Sequence, residues 1–216
     1  LVSEFSMVSV MTWQVPVRMA VAVAVAALLI VSCSTSSSTT STSQPAPLAT
    51  LELAEDGLGD VLVGFPPDVV INDISALYGS PDLDSDWIPA EPNIYGSCPG
   101  QVMRAVGWGS LVIIFVNDSA DPLSERFYTY TYGYDYTENV GGVDPRGLEL
   151  TTAAGVGIGS SVAELRAAYG DRVRIAGDSD LDVWSFEIEG ATLSGLVDGP
   201  DDSNVVTLIE LEPGCG

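Results

Sequence analysis

The sequence predicts an α+β domain over residues 48–216, built from two tandem units of about 48–140 and 146–216. Each unit is one helix plus a three-stranded antiparallel meander, with the helices packed on one sheet face. Three observations predict this fold. Apolar residues recur twice at helical spacing, each such stretch precedes alternating apolar runs separated by turn residues, and both helical stretches end on Tyr-Gly.

The first unit begins with short alternating runs at 51–53 and 58–63, which predict edge strands. Pro66-Pro67-Asp68 predicts the start of its helix, because proline suits the first helical position. Gly79 follows the helical pattern and is a typical residue after a helix C-terminus. The meander strands are predicted at residues 102–108, 111–116 and 127–136.

The second unit repeats this order. Residues 148–150 predict an edge strand, and a glycine-rich turn follows. Ser161 and Glu164 have the spacing of a capping box, in which each side chain accepts a hydrogen bond from a free backbone N–H, and Gly170 ends the helix. The meander strands are predicted at residues 183–188, 192–197 and 205–211.

Residues 1–32 have the pattern of a signal peptide. Arg18 precedes an apolar run at 19–31, which is shorter than the about 20 residues that a membrane-spanning helix needs. Ile30-Val31-Ser32-Cys33 resembles the lipobox of bacterial lipoproteins. The resemblance implies cleavage before Cys33, lipidation of that cysteine, and anchoring at the outer face of the bacterial cytoplasmic membrane. A permanent membrane helix and a conventional cut, which releases a secreted protein, are the alternatives.

The segments beside the apolar run complete this picture. Met11 provides the most conventional start for the signal peptide, which suggests that residues 1–10 are not native. Residues 33–47 consist mainly of Ser, Thr and Pro. Because such a segment buries no apolar area, we expect a disordered tether behind the lipidated Cys33.

The chain is strongly acidic, with 30 Asp and Glu against 7 Lys and Arg and a formal net charge of −23. Removing residues 1–32 takes away Arg18 and Glu4, so the charge stays the same. This charge excludes nucleic-acid binding, which needs Lys and Arg to neutralise phosphates, and leaves the acyl anchor as the membrane contact. Solubility or a salty medium explains the acidity; a divalent cation or a basic partner is the alternative.

Cys98 and Cys215 are predicted to form a disulfide bond. In the lipoprotein interpretation Cys33 is lipidated, so these two remain as an even pair in an oxidising compartment. The bridge would tie the C-terminus to the middle of the domain.

The element order over residues 48–216 resembles two groups of proteins. The tandem units are similar in layout to the secreted β-lactamase inhibitor proteins of soil bacteria, and a lipidated αβ unit resembles the lipoproteins that support β-barrel assembly. The inhibitors have a disulfide within each repeat, whereas the bond between Cys98 and Cys215 would link the repeats. No binding residue is therefore carried over from either group.

A row of alternating tyrosines is the candidate binding face. On a regular strand these side chains would share one side of the sheet, where they could stack on sugar rings or contact a protein. The alternative is that the rings cover the core. The residues are Tyr128, Tyr130, Tyr132, Tyr134 and Tyr136.

Asp82, Asp84 and Asp86 are candidate Ca²⁺ ligands, because alternating loop carboxylates can converge on this ion. The pattern lacks the glycine and the final glutamate of an EF-hand, and solvated turn carboxylates are the alternative. The run Asp178-Ser179-Asp180-Leu181-Asp182 has the same two interpretations.

The sequence restricts catalysis. It contains no His and no Lys, which excludes Ser-His-Asp and Cys-His triads and Schiff-base chemistry. The sequence therefore predicts a lipid-anchored extracytoplasmic binding or structural module without catalytic residues or a cofactor. Its partner would be an envelope protein or a cell-wall polymer. The alternatives are a carboxylate-dependent glycoside hydrolase and a Ca²⁺-dependent adhesive domain.

Overall fold

A long antiparallel sheet dominates the tertiary structure. The computed structural model describes residues 51–118, 122–136, 138–142, 146–178, 181 and 183–215. The signal peptide, Cys33 and the tether lie outside the described residues, and so do Asp180 and Asp182 of the second aspartate run. The lipobox interpretation therefore stays a prediction.

Two α helices and two single 3-10 turns accompany the strands in this part of the chain. The helices are α1 (Pro67–Tyr78) and α2 (Val162–Tyr169), and the 3-10 turns are Pro122–Ser124 and Gly170–Arg172. The strands are β1 (Leu53–Ala54), β2 (Gly57–Leu58), β3 (Val61–Leu62), β4 (Leu83–Asp84), β5 (Ile88–Pro89), β6 (Val102–Trp108), β7 (Leu111–Asn117), β8 (Arg126–Tyr132), β9 (Tyr134–Asp135), β10 (Val140–Gly141), β11 (Val173–Asp178), β12 (Val183–Ile188), β13 (Leu193–Val197) and β14 (Val206–Leu211).

Nine strands form one sheet in the order β11-β12-β13-β14-β8-β7-β6-β4, and β5 also pairs with β6. The pairs within it are antiparallel. The two meanders meet where β14 pairs with β8, through Ile209 opposite Tyr132 and Glu210 opposite Thr131. Strands β1, β2 and β3 form a separate small sheet, and β9 and β10 form a two-stranded ribbon.

The predicted α+β class with two helix-plus-meander units is therefore wrong. Strand makes up about 42% of the structure against 16% helix, and the meanders join into one sheet instead of closing two units. The pairing of β14 with β8 satisfies backbone N–H and C=O groups of both strands. Without this pairing, the two strands would be exposed sheet edges. Residues 148–150 form no strand, since Glu149 has a positive φ of 52°.

Local signals place both helices where the sequence predicts them. Proline occupies the first turn of α1, and Gly79 follows its end with φ 79°. Ser161 caps α2 with its side chain, and the side chain of Glu164 accepts a hydrogen bond from the Ser161 backbone, so the capping box is complete. Gly170 ends α2 with φ 62°, a region that glycine enters without steric penalty.

Both helices contribute to one large apolar cluster on the same side of the sheet, here called the helix face. Val70 and Ile74 of α1 and Val162 and Leu165 of α2 are buried in it. The sheet supplies the other half of this core, mainly with Trp108, Leu111, Ile113, Phe115, Phe127, Tyr130, Phe186, Val206 and Ile209.

The opposite side of β6, β7 and β8, here called the second face, carries a smaller core. Ala90, Tyr95 and Cys98, from the segment between β5 and β6, pack over Met103 and Ile114. The predicted disulfide between Cys98 and Cys215 is confirmed, with 4.5 Å between the Cα atoms and a sequence separation of 117. It holds the C-terminus against this core. Neither α1 nor α2, the two α helices of the described residues, has the length and hydropathy of a transmembrane span.

Candidate functional site

The alternation of the tyrosine row is interrupted by a β-bulge at Tyr128. Ile114 of β7 pairs with Thr129, whereas the next residue, Phe115, pairs with Phe127, so one residue of β8 is extra. A bulge of this kind moves the following side chains to the other side of the strand. The strand then ends at Gly133, whose φ of 108° favours glycine.

The five tyrosines consequently do not share one face. Tyr130 and Tyr132 are buried on the helix face, and the hydroxyl of Tyr130 donates a hydrogen bond to the carbonyl of Ala54. Tyr128 and Tyr136 pack against the second face instead. Two rings of the candidate binding face thus belong to the core.

Aromatic rings gather on the second face around Tyr136. Its ring centroid lies 4.8 Å from that of Tyr134 and 5.0 Å from that of Tyr95. Tyr134 and Tyr136 are half-buried, while Tyr95 is buried. Burial raises the pKa of Tyr136, whose hydroxyl is hydrogen-bonded to the side chain of Thr131.

Two carboxylates near the C-terminus lie close to the tyrosines: Glu210 of β14 interacts electrostatically with Tyr136, and Glu212, just after β14, with Tyr128. The hydroxyl of Ser194 is 2.7 Å from Oε1 of Glu212 and 3.4 Å from Oε1 of Glu210. Burial raises the pKa of Glu210, and the charge of Glu212 adds to the effect. Tyr95, Tyr134, Tyr136, Glu210 and Glu212 are together called the tyrosine–glutamate cluster below.

Sequence reasoning missed both glutamates and Tyr95. The side chains of this cluster come from residues far apart in the chain, and their proximity depends on the pairing of β14 with β8. One signal was available: in Glu210-Leu211-Glu212 the two acids alternate with an apolar leucine, a pattern that predicts both carboxylates on the same side of an extended segment.

Two of the three candidate Ca²⁺ ligands are engaged by arginines. Arg146 forms a bidentate ion pair with Asp82, in which Nε and Nη2 donate to the two carboxylate oxygens. Arg104 binds Asp84 through the same two nitrogen atoms. These hydrogen bonds lower the pKa of both carboxyls. A calcium ion at Asp82, Asp84 and Asp86 would have to displace both arginines, and no group of three or more potential ligands is close enough for a metal in the described residues.

A cleft of about 540 Å³ opens between α1 and the three-stranded sheet. Its apolar lining includes Leu51, Leu58 and Val61, which are buried, and Leu77. No local sequence pattern indicates this cleft, because only the tertiary fold brings α1 and the three-stranded sheet together.

Comparison of the chain with protein-family models, curated proteins and solved structures found no match.

Proposed function

We propose that this chain is a non-catalytic binding module of the bacterial cell envelope, anchored by acyl chains on Cys33 and extended from the membrane on residues 33–47. The lipobox-like Ile30-Val31-Ser32-Cys33 supports the anchor. The disulfide between Cys98 and Cys215 supports an oxidising, extracytoplasmic location, because such bonds are rare in reducing compartments.

The tyrosine–glutamate cluster is the observation that carries the binding proposal. Its half-buried rings of Tyr134 and Tyr136 offer apolar area to the flat side of a sugar ring. The carboxylates of Glu210 and Glu212 accept hydrogen bonds from hydroxyls. Since the net charge of −23 disfavours anionic polymers, the ligand is a neutral or amino-bearing glycan of the cell wall.

Retention on an insoluble cell-wall polysaccharide fraction tests the ligand. Tyr134→Ala should weaken retention about tenfold, the loss typical of one aromatic anchor. Tyr169→Ala is the matched control, because Tyr169 is also half-buried but packs against the helix-face core. Equal retention of both variants, at or near the level of the unchanged protein, would exclude the tyrosine–glutamate cluster as the binding site.

The anchor has its own test. The mass of the N-terminal peptide of the mature protein should correspond to a chain that begins at an acylated Cys33, and Cys33→Ser should release the protein from the membrane fraction. An unmodified thiol at Cys33 would contradict the anchor without affecting the glycan measurement.

A retaining glycoside hydrolase is the second candidate, favoured by one observation. Glu210 and Glu212 both contact the hydroxyl of Ser194, so the two carboxylate oxygens that make these contacts lie at most about 6 Å apart. This limit is compatible with the separation of about 5–5.5 Å between the two carboxyl groups of a retaining enzyme. Burial also raises the pKa of Glu210, as the general acid of such a pair requires. Release of reducing sugar that Glu212→Gln abolishes would favour this candidate over the binding module.

A further inference from the structure

The cleft between α1 and the small sheet has the dimensions and lining of a small-molecule site. Its volume of about 540 Å³ lies in the usual range for such sites, about 300–1,000 Å³. Leu58 and Val61 of the small sheet and Leu77 of α1 form apolar walls. The transfer of an aliphatic group from water to these walls would be favourable, because it removes apolar surface from water.

Three carboxylates surround this apolar lining, each from a different element. Glu52 precedes β1, Asp60 lies in the turn between β2 and β3, and Asp73 is on α1. All three are exposed residues. Within the described ranges, no side-chain hydrogen bond or ion pair of the protein reaches any of these three carboxylates.

No cationic side chain of the described residues lines the cleft. The sequence lacks Lys and His, and the residues around the cleft include no arginine. Each described arginine contacts another group: Arg104 binds Asp84, Arg126 binds Asp118, Arg146 binds Asp82, Arg166 binds Asp202, Arg174 binds Glu189, and Arg172 lies over the ring of Tyr169. The negative charge of Glu52, Asp60 and Asp73 is therefore not balanced by a described arginine, and it favours a cationic ligand.

We propose that this cleft binds a small cationic amphiphile, a molecule with an aliphatic segment and one or more ammonium groups. The aliphatic segment contacts the leucine and valine walls, and the ammonium groups bind Glu52, Asp60 or Asp73. A neutral aliphatic ligand would use only the walls, and an anionic one would be repelled. The site is separate from the tyrosine–glutamate cluster, because its buried residues belong to the helix-face core.

Calorimetric titration of the full chain with three probes of equal length tests this inference. 1,8-Diaminooctane should bind, 1,8-octanediol should bind at least tenfold more weakly, and octanoate should not bind measurably. Binding of the diamine should weaken as NaCl is raised, because salt screens exposed charges. Equal affinity for the diol and the diamine, or no binding of the diamine, would overturn the proposal.

Two variants test whether carboxylates of the cleft bind the ammonium groups of the diamine. Asp73→Asn and Glu52→Gln should each weaken diamine binding about fivefold, the effect of one partly exposed ion pair. Glu187→Gln removes the same charge from an exposed position of β12 and should leave the affinity unchanged. A loss that is equal in all three variants would show a general effect of net charge and refute the site. Unchanged melting temperatures verify that each variant is folded.

Discussion

Loss of the bond between Cys98 and Cys215 should destabilise the domain strongly, because this bond closes a loop between residues 117 positions apart. In the chain-entropy model a loop of this length restricts the unfolded chain by about 5 kcal/mol at 25 °C. The free energy of unfolding of a typical domain is about 5–15 kcal/mol. The double variant Cys98→Ala/Cys215→Ala should therefore lose a third or more of the free energy of unfolding of the unchanged protein.

Urea unfolding followed by tryptophan fluorescence measures this loss. With a slope of about 1–3 kcal/mol per molar urea, the midpoint of the double variant should fall by about 2 M or more. Cys33→Ser is the matched control, since it removes a cysteine that takes no part in the bridge, and its midpoint should not change. A double variant within about 1 kcal/mol of the unchanged protein would refute the loop-closure reasoning.

Three further predictions concern single side chains. Because burial raises the pKa of Glu210, the folded state holds its proton more tightly than the unfolded chain, and the free energy of unfolding should fall as the pH rises above about 4.5. Glu210→Gln should therefore be more stable than the unchanged protein at pH 7 but not at pH 4, and a pH-independent difference would contradict this. Ser161→Ala should lower the free energy of unfolding by about 1 kcal/mol by removing the cap of α2, and an unchanged melting temperature would exclude that role. The buried hydroxyl of Ser110 has no hydrogen-bond partner in the described structure, so Ser110→Ala should raise stability by about 1 kcal/mol in urea unfolding; a loss would mean that the hydroxyl is satisfied.

The correct predictions concern interactions between residues close together in the chain. The capping box of α2 needs only Ser161 and Glu164, three positions apart. The β6–β7 hairpin needs the turn between Trp108 and Leu111, which pair across it. Such contacts are encoded in short stretches and leave a recognisable pattern.

The candidate site was less predictable. A regular alternation would place all five tyrosines on one side, but the bulge at Tyr128 and the positive φ of Gly133 divide them between the two faces. Strand pairing then brings Glu210 beside Thr131 and hence near Tyr136. No single segment contains all of these residues.

The sequence by itself determined the acidic character of the chain, the helix termini and the hairpin strands. The pairing of Cys98 with Cys215 followed from it only with the interpretation of Cys33 as a lipidated residue. Only the tertiary structure decided that β14 pairs with β8, which makes one sheet out of two meanders and places the tyrosine–glutamate cluster on its second face. The reason is physical. Helix caps and turns depend on neighbouring residues, whereas the pairing of distant strands depends on which edges and apolar faces the whole chain can bury at once.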